Sequence, residues 1–220
     1  MKLIIKEYIS LLKESKELDS LIPELLLAMG HEILSKPKIG HRQFGVDVAS
    51  KGIDENGKEK IFLFTIKQGD IIRKDWNSNE QSVRPSLDEI LDVYISNKLL
   101  NIYSNLPKKI ILATGGDMEQ NVEENWKGYT ERHKKANEIE FDFWGGDKLS
   151  LLIEKYMFDE YIFPKELRSK FRKTLALLDD NDYDLSDYFE LINALLFENL
   201  LETKTKKRDK EILKTLLLHQ

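Results

Sequence analysis

The sequence predicts an α/β fold in which a mixed sheet of four strands is flanked by helices. Three observations support this class. Apolar residues near the amino terminus recur every three to four positions, which is the helical period. Short apolar or alternating runs follow, as in strands, and stretches of helical pattern separate the later runs. Because no strand pattern occurs after Pro164, we expect residues 1–164 to form one domain and residues 165–220 a helical extension.

The first predicted element is a helical region over residues 5–34. Its apolar side chains keep the helical spacing from Tyr8 to Met29. Pro23 marks the start of a second helix, because proline is tolerated in a first turn. Gly30 is the expected carboxyl-terminal cap.

Two strands are expected next, at about residues 44–50 and 60–67. Between them, Asp54-Glu55-Asn56-Gly57 is a strong hairpin signal. Pairing these strands through the hairpin would bring Asp47 near Thr65 and Lys67 at one edge of the sheet.

The second half of the first domain alternates helices and strands. Ser86 is the expected cap of a helix, with Glu89 three residues on completing a capping box. The run 109–114 is apolar throughout, as in a strand buried on both faces. The remaining expectations are a helix over 119–135, a half-buried strand over 139–144, and a helix from the glycine pair at 145 to about residue 156.

Composition excludes several classes of protein. Among 220 residues, 41% are hydrophobic and 33% are charged, as in a globular domain. No apolar run approaches the ~18 residues of a membrane span. The absence of cysteine excludes disulfides, a thiolate nucleophile and zinc–thiolate sites, and the four histidines lack metal-ligand spacing. The charged start does not fit a signal peptide, so a cytoplasmic location is the expectation.

The charge distribution is locally positive around the two hairpin strands. The net charge is −5, yet the segment from Lys36 to Lys74 holds nine Lys or Arg against five Asp or Glu. This is compatible with nucleic-acid binding. The candidate phosphate contacts are Lys36, Lys38, Arg42, Gln68, Arg73 and Lys74. The alternative for Gln68 is that it caps its strand, and the alternative for the others is a solvated surface group.

Asp47 and Lys67 form the candidate catalytic pair. A carboxylate can hold a hard divalent cation, and an ammonium beside it can stabilise charge on a phosphoryl group. The alternative is that Asp47 is a solvated strand-end charge and that Lys67 protects an edge strand against aggregation. Gly45 before the acid indicates a closely packed backbone where the carboxylate projects.

The layout of helix, Asp strand, hairpin, Lys strand, helix and strand resembles the PD-(D/E)xK nuclease superfamily, and within it Mrr-like restriction endonucleases. Gly45-Val46-Asp47 matches the first motif of that family, and Thr65-Ile66-Lys67 occupies the second. Glu24 is the candidate for the acid that the first helix contributes. The departure is Thr65, where the family usually has Glu or Gln. Residues 143–149 and 159–164 also look like the end of nuclease-like domains at the amino terminus of bacterial anti-phage defence proteins.

The resemblance implies a restriction-endonuclease-like fold and a metal-dependent endonuclease acting on DNA. Asp47 and Glu24 would position Mg²⁺ or Mn²⁺, with Thr65 and the carbonyl of Ile66 as further ligands. Lys67 would stabilise the developing charge or orient the attacking water. The implied context is the effector of a restriction or anti-phage defence system.

Further expectations concern the assembly. Cutting both strands implies a dimer or higher homo-oligomer, with residues 165–220 serving oligomerisation or attachment, and the last amphipathic helix predicts a larger parent protein. The different class left open by Thr65 is a catalytically inactive nuclease fold that binds nucleic acid or protein.

Overall fold

A computed structural model describes most of the chain, in four segments. The chain divides into two compact units, Met1–Asp159 and Glu160–Gln220, close to the predicted boundary at residue 164. The described residues are 2–35, 44–157, 165–177 and 185–194.

The first unit is built on a mixed sheet of five strands in the spatial order β1-β2-β3-β4-β5. Strands β1, β2 and β3 are antiparallel neighbours, whereas β3, β4 and β5 run parallel. The predicted mixed α/β class is therefore confirmed, and the predicted number of four strands is wrong by one. The strands are β1 Glu32–Ser35, β2 Val48–Ile53, β3 Glu59–Lys67, β4 Lys108–Thr114 and β5 Ile139–Trp144.

Helices cover both faces of this sheet. Helices α1, α2 and α6 share one hydrophobic core with the sheet, and α3, α4 and α5 share the other. Both connections between parallel strands run on the second face, because α3 and α4 join β3 to β4 and α5 joins β4 to β5. The helices are α1 Lys2–Leu11, α2 Asp19–Ala28, α3 Arg73–Asn77, α4 Val83–Glu89, which continues as a π-helix over Ile90–Lys98, α5 Gln120–His133 and α6 Gly146–Tyr156.

Strand β3 lies at the centre of the sheet and is buried on both sides. Phe62, Phe64 and Ile66 face the α1–α2–α6 core, and Ile61 and Leu63 face the other. This double burial explains the nearly continuous apolar run in the sequence. It also excludes the interpretation of Lys67 as an edge-strand lysine, since β3 has a neighbour on each side.

The predicted helical region 5–34 contains two helices and the additional strand. The chain turns between α1 and α2, where Lys16 has φ +71°. Helix α2 starts at Asp19, so Pro23 lies inside it rather than at its start. Gly30 is confirmed as the cap, because at φ +85° its N–H donates to the Leu27 carbonyl and the next N–H donates to that of Leu26. Strand β1 begins two residues after Gly30, and its four residues are too few to be distinguished in the sequence from the preceding helical pattern.

The region before β4 also differs from its prediction. Helix α4 starts at Val83, so the capping box of Ser86 and Glu89 is wrong, and the Ser86 hydroxyl instead donates to the Ser82 carbonyl. The polar stretch around Trp76 forms α3, and the buried Trp76 indole packs edge-to-face on Tyr129.

A buried histidine joins β1 to β2. His31 is 5% exposed, its Nδ1 lies 3.1 Å from the Ser50 hydroxyl, and its ring packs on Phe62. Gly52 is required beside it, because a Cβ there would lie 2.5 Å from the imidazole. Burial lowers the pKa of His31, since the charged imidazolium would lose its hydration.

This burial predicts a loss of stability in weak acid. The unfolded chain binds the proton more readily than the folded one, so the His31 contribution is complete above the unfolded pKa near 6.5 and is lost as pH falls through the folded value. We expect the free energy of unfolding to fall between pH 7 and 5 in the wild type. Its slope should be steeper than that of His31→Gln by up to about 1.4 kcal/mol per pH unit. Urea denaturation across this range is the measurement, and equal slopes would contradict the prediction.

The second unit contains two described helices, α7 Lys165–Leu177 and α8 Ser186–Asn193. They pack together, and Lys170 pairs with Glu190 and Lys173 with Asp187. The predicted last helix lies outside the described residues. Oligomerisation or attachment through this unit stays a prediction. Across the described residues, every helix is too short or too polar to cross a bilayer.

Candidate functional site

A polar cleft of about 840 Å³ opens where the carboxyl end of β3 meets the residues leading into β2. Asp47 and Lys67, the predicted pair, both line it. The cleft wall opposite them comes from α3, α4 and the segment that joins those helices. Its charged lining residues are Glu14, Asp47, Lys67, Lys74, Asp75, Glu80 and Glu89.

Asp47 is held in place by the backbone of β3. Its N–H donates to the Phe64 carbonyl at 2.8 Å, and its Oδ2 accepts a hydrogen bond from the Ile66 N–H at 2.7 Å. Burial raises the pKa of Asp47 to about 6, against the opposing effects of the Ile66 hydrogen bond and the Lys67 charge. Asp47 is thus a half-buried, oriented carboxylate and not a solvated strand end.

Gly45 explains how the chain places Asp47 beside α4. Its φ is +76°, which disfavours a side chain, and a Cβ there would lie 2.0 Å from the Ser86 carbonyl oxygen. The backbone before Asp47 therefore lies directly against α4, as the sequence indicated. This contact fixes the distance between the two walls of the cleft.

Gly45→Ala is expected to destabilise the first unit by more than about 2 kcal/mol, because the new methyl group would meet a backbone carbonyl in addition to the cost of positive φ. Gly57→Ala is the matched control, since Gly57 has φ +75° in the hairpin turn with nothing near its missing Cβ. We expect about 1 kcal/mol for that control. Urea denaturation of both variants measures the difference, and equal losses would show that the contact with α4 is unimportant.

Lys67 ends β3 on the cleft side. Its side chain is half-buried, and within the described residues it is not tied into an ion pair. Its charge acts on the carboxylates of Asp47 and Glu14, lowering the pKa of each relative to burial alone. An ammonium that is positioned but unpaired can interact with an anionic ligand entering the cleft.

Glu14, and not Glu24, is the acid that the structure brings to this pair. Glu14 lies in the turn between α1 and α2 and lines the cleft, where burial raises its pKa against the pull of Lys67. Glu24 lies exposed on α2 and is not among the described residues that line the cleft. The sequence signal for Glu14 is the polar run 13–17, which interrupts the apolar helical period.

Position 65 differs from the expected ligand arrangement. Thr65 is 1% exposed, it does not line the cleft, and its Oγ1 is buried without a hydrogen-bond partner. Ile66 is likewise absent from the cleft lining, although its N–H bonds the Asp47 carboxylate. Because the N–H and C=O of one strand residue point to the same side, the Ile66 carbonyl lies on the side of β3 that faces Asp47.

The carboxylates of Asp47 and Glu14 are of the ligand type that a small divalent cation takes. Mg²⁺ is commonly bound by one or two carboxylates together with substrate phosphates. Burial raises the pKa values of Asp47 and Glu14, and the positive charge of Lys67 only partly offsets this effect. Across the described residues there is no cluster of three or more acidic, histidine or cysteine side chains able to hold a metal. Of the residues weighed as ligands, the two that line the cleft are therefore Asp47 and Glu14.

The predicted nucleic-acid contacts separate into three groups. Gln68 and Lys74 are exposed at the cleft, and Arg73 is exposed on the same helix as Lys74, lining a neighbouring pocket. Lys36, Lys38 and Arg42 lie outside the described residues.

Comparison with protein-family models, curated proteins and solved structures finds no match to this chain.

Proposed function

We propose that the first unit is a metal-dependent endonuclease that hydrolyses phosphodiester bonds in DNA. The observation that carries this proposal is the convergence of Asp47, Lys67 and Glu14 on one cleft at the end of the central strand. The proposal is also supported by the order of the elements, which resembles that of PD-(D/E)xK nucleases apart from the additional strand β1: helices precede Asp47 and β2, a hairpin leads to β3 with Lys67, and helices precede β4. That resemblance implies the reaction class, and the geometry supports it.

Each residue of the site has a separate role in the proposed reaction. Asp47, Glu14 and the Ile66 carbonyl would hold Mg²⁺ or Mn²⁺. When bound, the cation supplies a lowered pKa for the attacking water and charge neutralisation at the phosphate. Lys67 stabilises the negative charge that develops on the phosphoryl oxygens. The Ile66 N–H keeps the Asp47 carboxylate oriented, so that little reorganisation is needed when substrate arrives.

The wider context is part of the proposal. The resemblance implies a cytoplasmic effector of a bacterial restriction or anti-phage defence system, acting as a homo-oligomer or within a larger protein. Cleavage of both strands of a duplex needs two sites, which is why an oligomer is proposed.

A second function is favoured by one specific observation. Thr65 buries its hydroxyl away from the cleft, so the position at which the family usually carries Glu or Gln supplies no ligand there. In this alternative the domain binds nucleic acid or protein without cutting. The cleft lining holds five carboxylates against two lysines, which also limits phosphate binding in the absence of a cation.

Incubation of the full chain with supercoiled plasmid, with and without Mg²⁺ or Mn²⁺, tests the proposal. We expect divalent-dependent nicking or linearisation that Lys67→Met abolishes. Lys58→Met, at an exposed position in the hairpin turn, is the matched control and should cleave normally. Duplex binding without cleavage at any protein concentration would contradict the endonuclease proposal and support the alternative of a domain that binds without cutting. Absence of both would reject the two functions together.

A further inference from the structure

A second pocket adjoins the cleft on the α3 side. It has a volume of about 250 Å³ and lies between α3, the first turn of α4 and the middle of α5. Lys74 and Ser78 line both the pocket and the cleft, so the two are continuous at the surface. Besides Trp76, the residues lining the pocket are Arg73, Lys74, Asn77, Ser78, Arg84 and Asn125.

The charge of this pocket is opposite to that of the cleft. Three cationic side chains line it, and no carboxylate does. Arg73 and Lys74 form no ion pair with any described residue. Arg84 has only a distant partner, because its Nε lies 3.8 Å from Asp88, whose other oxygen accepts a hydrogen bond from Tyr129. The positive charges of Arg73 and Lys74 are therefore not neutralised by a described ion pair, and that of Arg84 is only partly neutralised.

The pocket also combines a buried aromatic side chain with several hydrogen-bond donors. Its floor is Trp76, which is 6% exposed and packs edge-to-face on Tyr129. The Asn125 side chain is oriented by a 2.8 Å hydrogen bond from its Nδ2 to the Asn121 carbonyl, which leaves a second N–H on that nitrogen. Guanidinium, ammonium and amide N–H groups around a fixed floor suit a tetrahedral oxyanion better than a planar base or an apolar group.

We propose that this pocket binds a backbone phosphate of the nucleic-acid strand whose neighbouring phosphodiester lies in the cleft. The inference rests on the proposed function for its substrate, and it adds a residue, Arg84, that sequence reasoning did not single out. It also accounts for the acidic cleft. Because the cation site repels phosphate until a metal is bound, affinity for the strand has to come from an adjacent positive subsite.

The test measures duplex-oligonucleotide binding by the full chain in EDTA, where cleavage is absent. Arg84→Gln is expected to weaken binding about tenfold and to reduce the slope of log K against log salt by about one, as loss of a phosphate contact does. Arg132→Gln is the matched control, because Arg132 is exposed on α5 and lines neither the pocket nor the cleft. If Arg84→Gln binds with the wild-type affinity and salt slope, the subsite is overturned even where plasmid cleavage is intact.

A second arm separates this inference from the proposed function. Titration of ¹⁵N-labelled protein with inorganic phosphate is expected to shift the Trp76 indole and Asn125 side-chain amide resonances, and Arg84→Gln should abolish those shifts. The same titration with a duplex distinguishes a strand-bound phosphate from a free phosphate ligand. Shifts with inorganic phosphate but no duplex binding would overturn the nucleic-acid assignment and leave an anion pocket. Absence of shifts with either probe would overturn the pocket itself.

Discussion

Asp47→Asn is expected to abolish cleavage and at the same time to stabilise the protein at neutral pH. The variant removes the negative charge that the proposed metal site requires, so we expect cleavage to fall by at least about 10³-fold. The asparagine side-chain oxygen can still accept the Ile66 hydrogen bond, so the local geometry is kept. What changes in the folded state is the cost of a half-buried ionised group.

The sign of the stability change follows from the pKa of Asp47, which is raised from 3.8 to about 6. The folded protein binds the proton more tightly than the unfolded chain, so the stabilisation is complete below pH 3.8 and is lost as pH rises through about 6. At pH 7 the ionised carboxylate costs up to about 3 kcal/mol, and we expect the variant to recover about 1–3 kcal/mol of it.

Urea denaturation at pH 7 and pH 4 checks this prediction alongside the plasmid assay. The gain should be present at pH 7 and should shrink at pH 4. Asp92→Asn removes the same charge from an exposed position outside the cleft and should change neither stability nor cleavage. A variant that is inactive but less stable at pH 7 would mean that Asp47 is a structural residue.

Glu14→Gln is expected to reduce cleavage about 100-fold or more, whereas Glu24→Gln should retain it. Glu14 lines the cleft with Asp47, and its negative charge contributes to the raised pKa of Asp47. Glu24 lies on the exposed side of α2, outside the cleft lining. The two variants therefore distinguish Glu24, the acid predicted from the sequence, from Glu14, the acid that the turn between α1 and α2 places in the cleft.

Isothermal titration with Mn²⁺ provides a readout that is independent of cleavage. Weakened Mn²⁺ binding in Glu14→Gln with wild-type binding in Glu24→Gln would support the assignment. The reverse pattern would return the role to Glu24, as the sequence predicted. Unchanged binding in both would show that neither glutamate contributes to the Mn²⁺ site.

The Asp47–Lys67 proximity could be read from the sequence because local rules determine it. The turn at Asp54–Gly57 sets the register, and the two-residue period of strands then decides which side chains align. The observed register ends at Val48 opposite Phe64, and Asp47, one residue before β2, bonds the Phe64 carbonyl and the Ile66 N–H next to Lys67. Helical spacing likewise identified the main helices α5 and α6.

Glu14 and β1 escaped prediction because no local rule fixes them. Whether an acid from the first helical region reaches Asp47 depends on where that region bends, and the bend relies on Lys16 in a conformation that non-glycine residues seldom adopt. Strand β1 has only four residues and pairs through tertiary context. The basic pocket combines α3, α4 and α5, whose relative positions no periodicity encodes.

The burial of Thr65 also constrains how this site can change over generations. A single substitution of Thr65 to glutamate would place a carboxylate in a closed, apolar layer alongside Leu63. Unpaired burial of a charge costs several kcal/mol, comparable with the whole stability of a domain of this size. A carboxylate at this position would therefore need prior repacking of α3 and α4. Selection for activity would therefore act more readily on substitutions at position 14, which lines the cleft, than on substitutions at position 65.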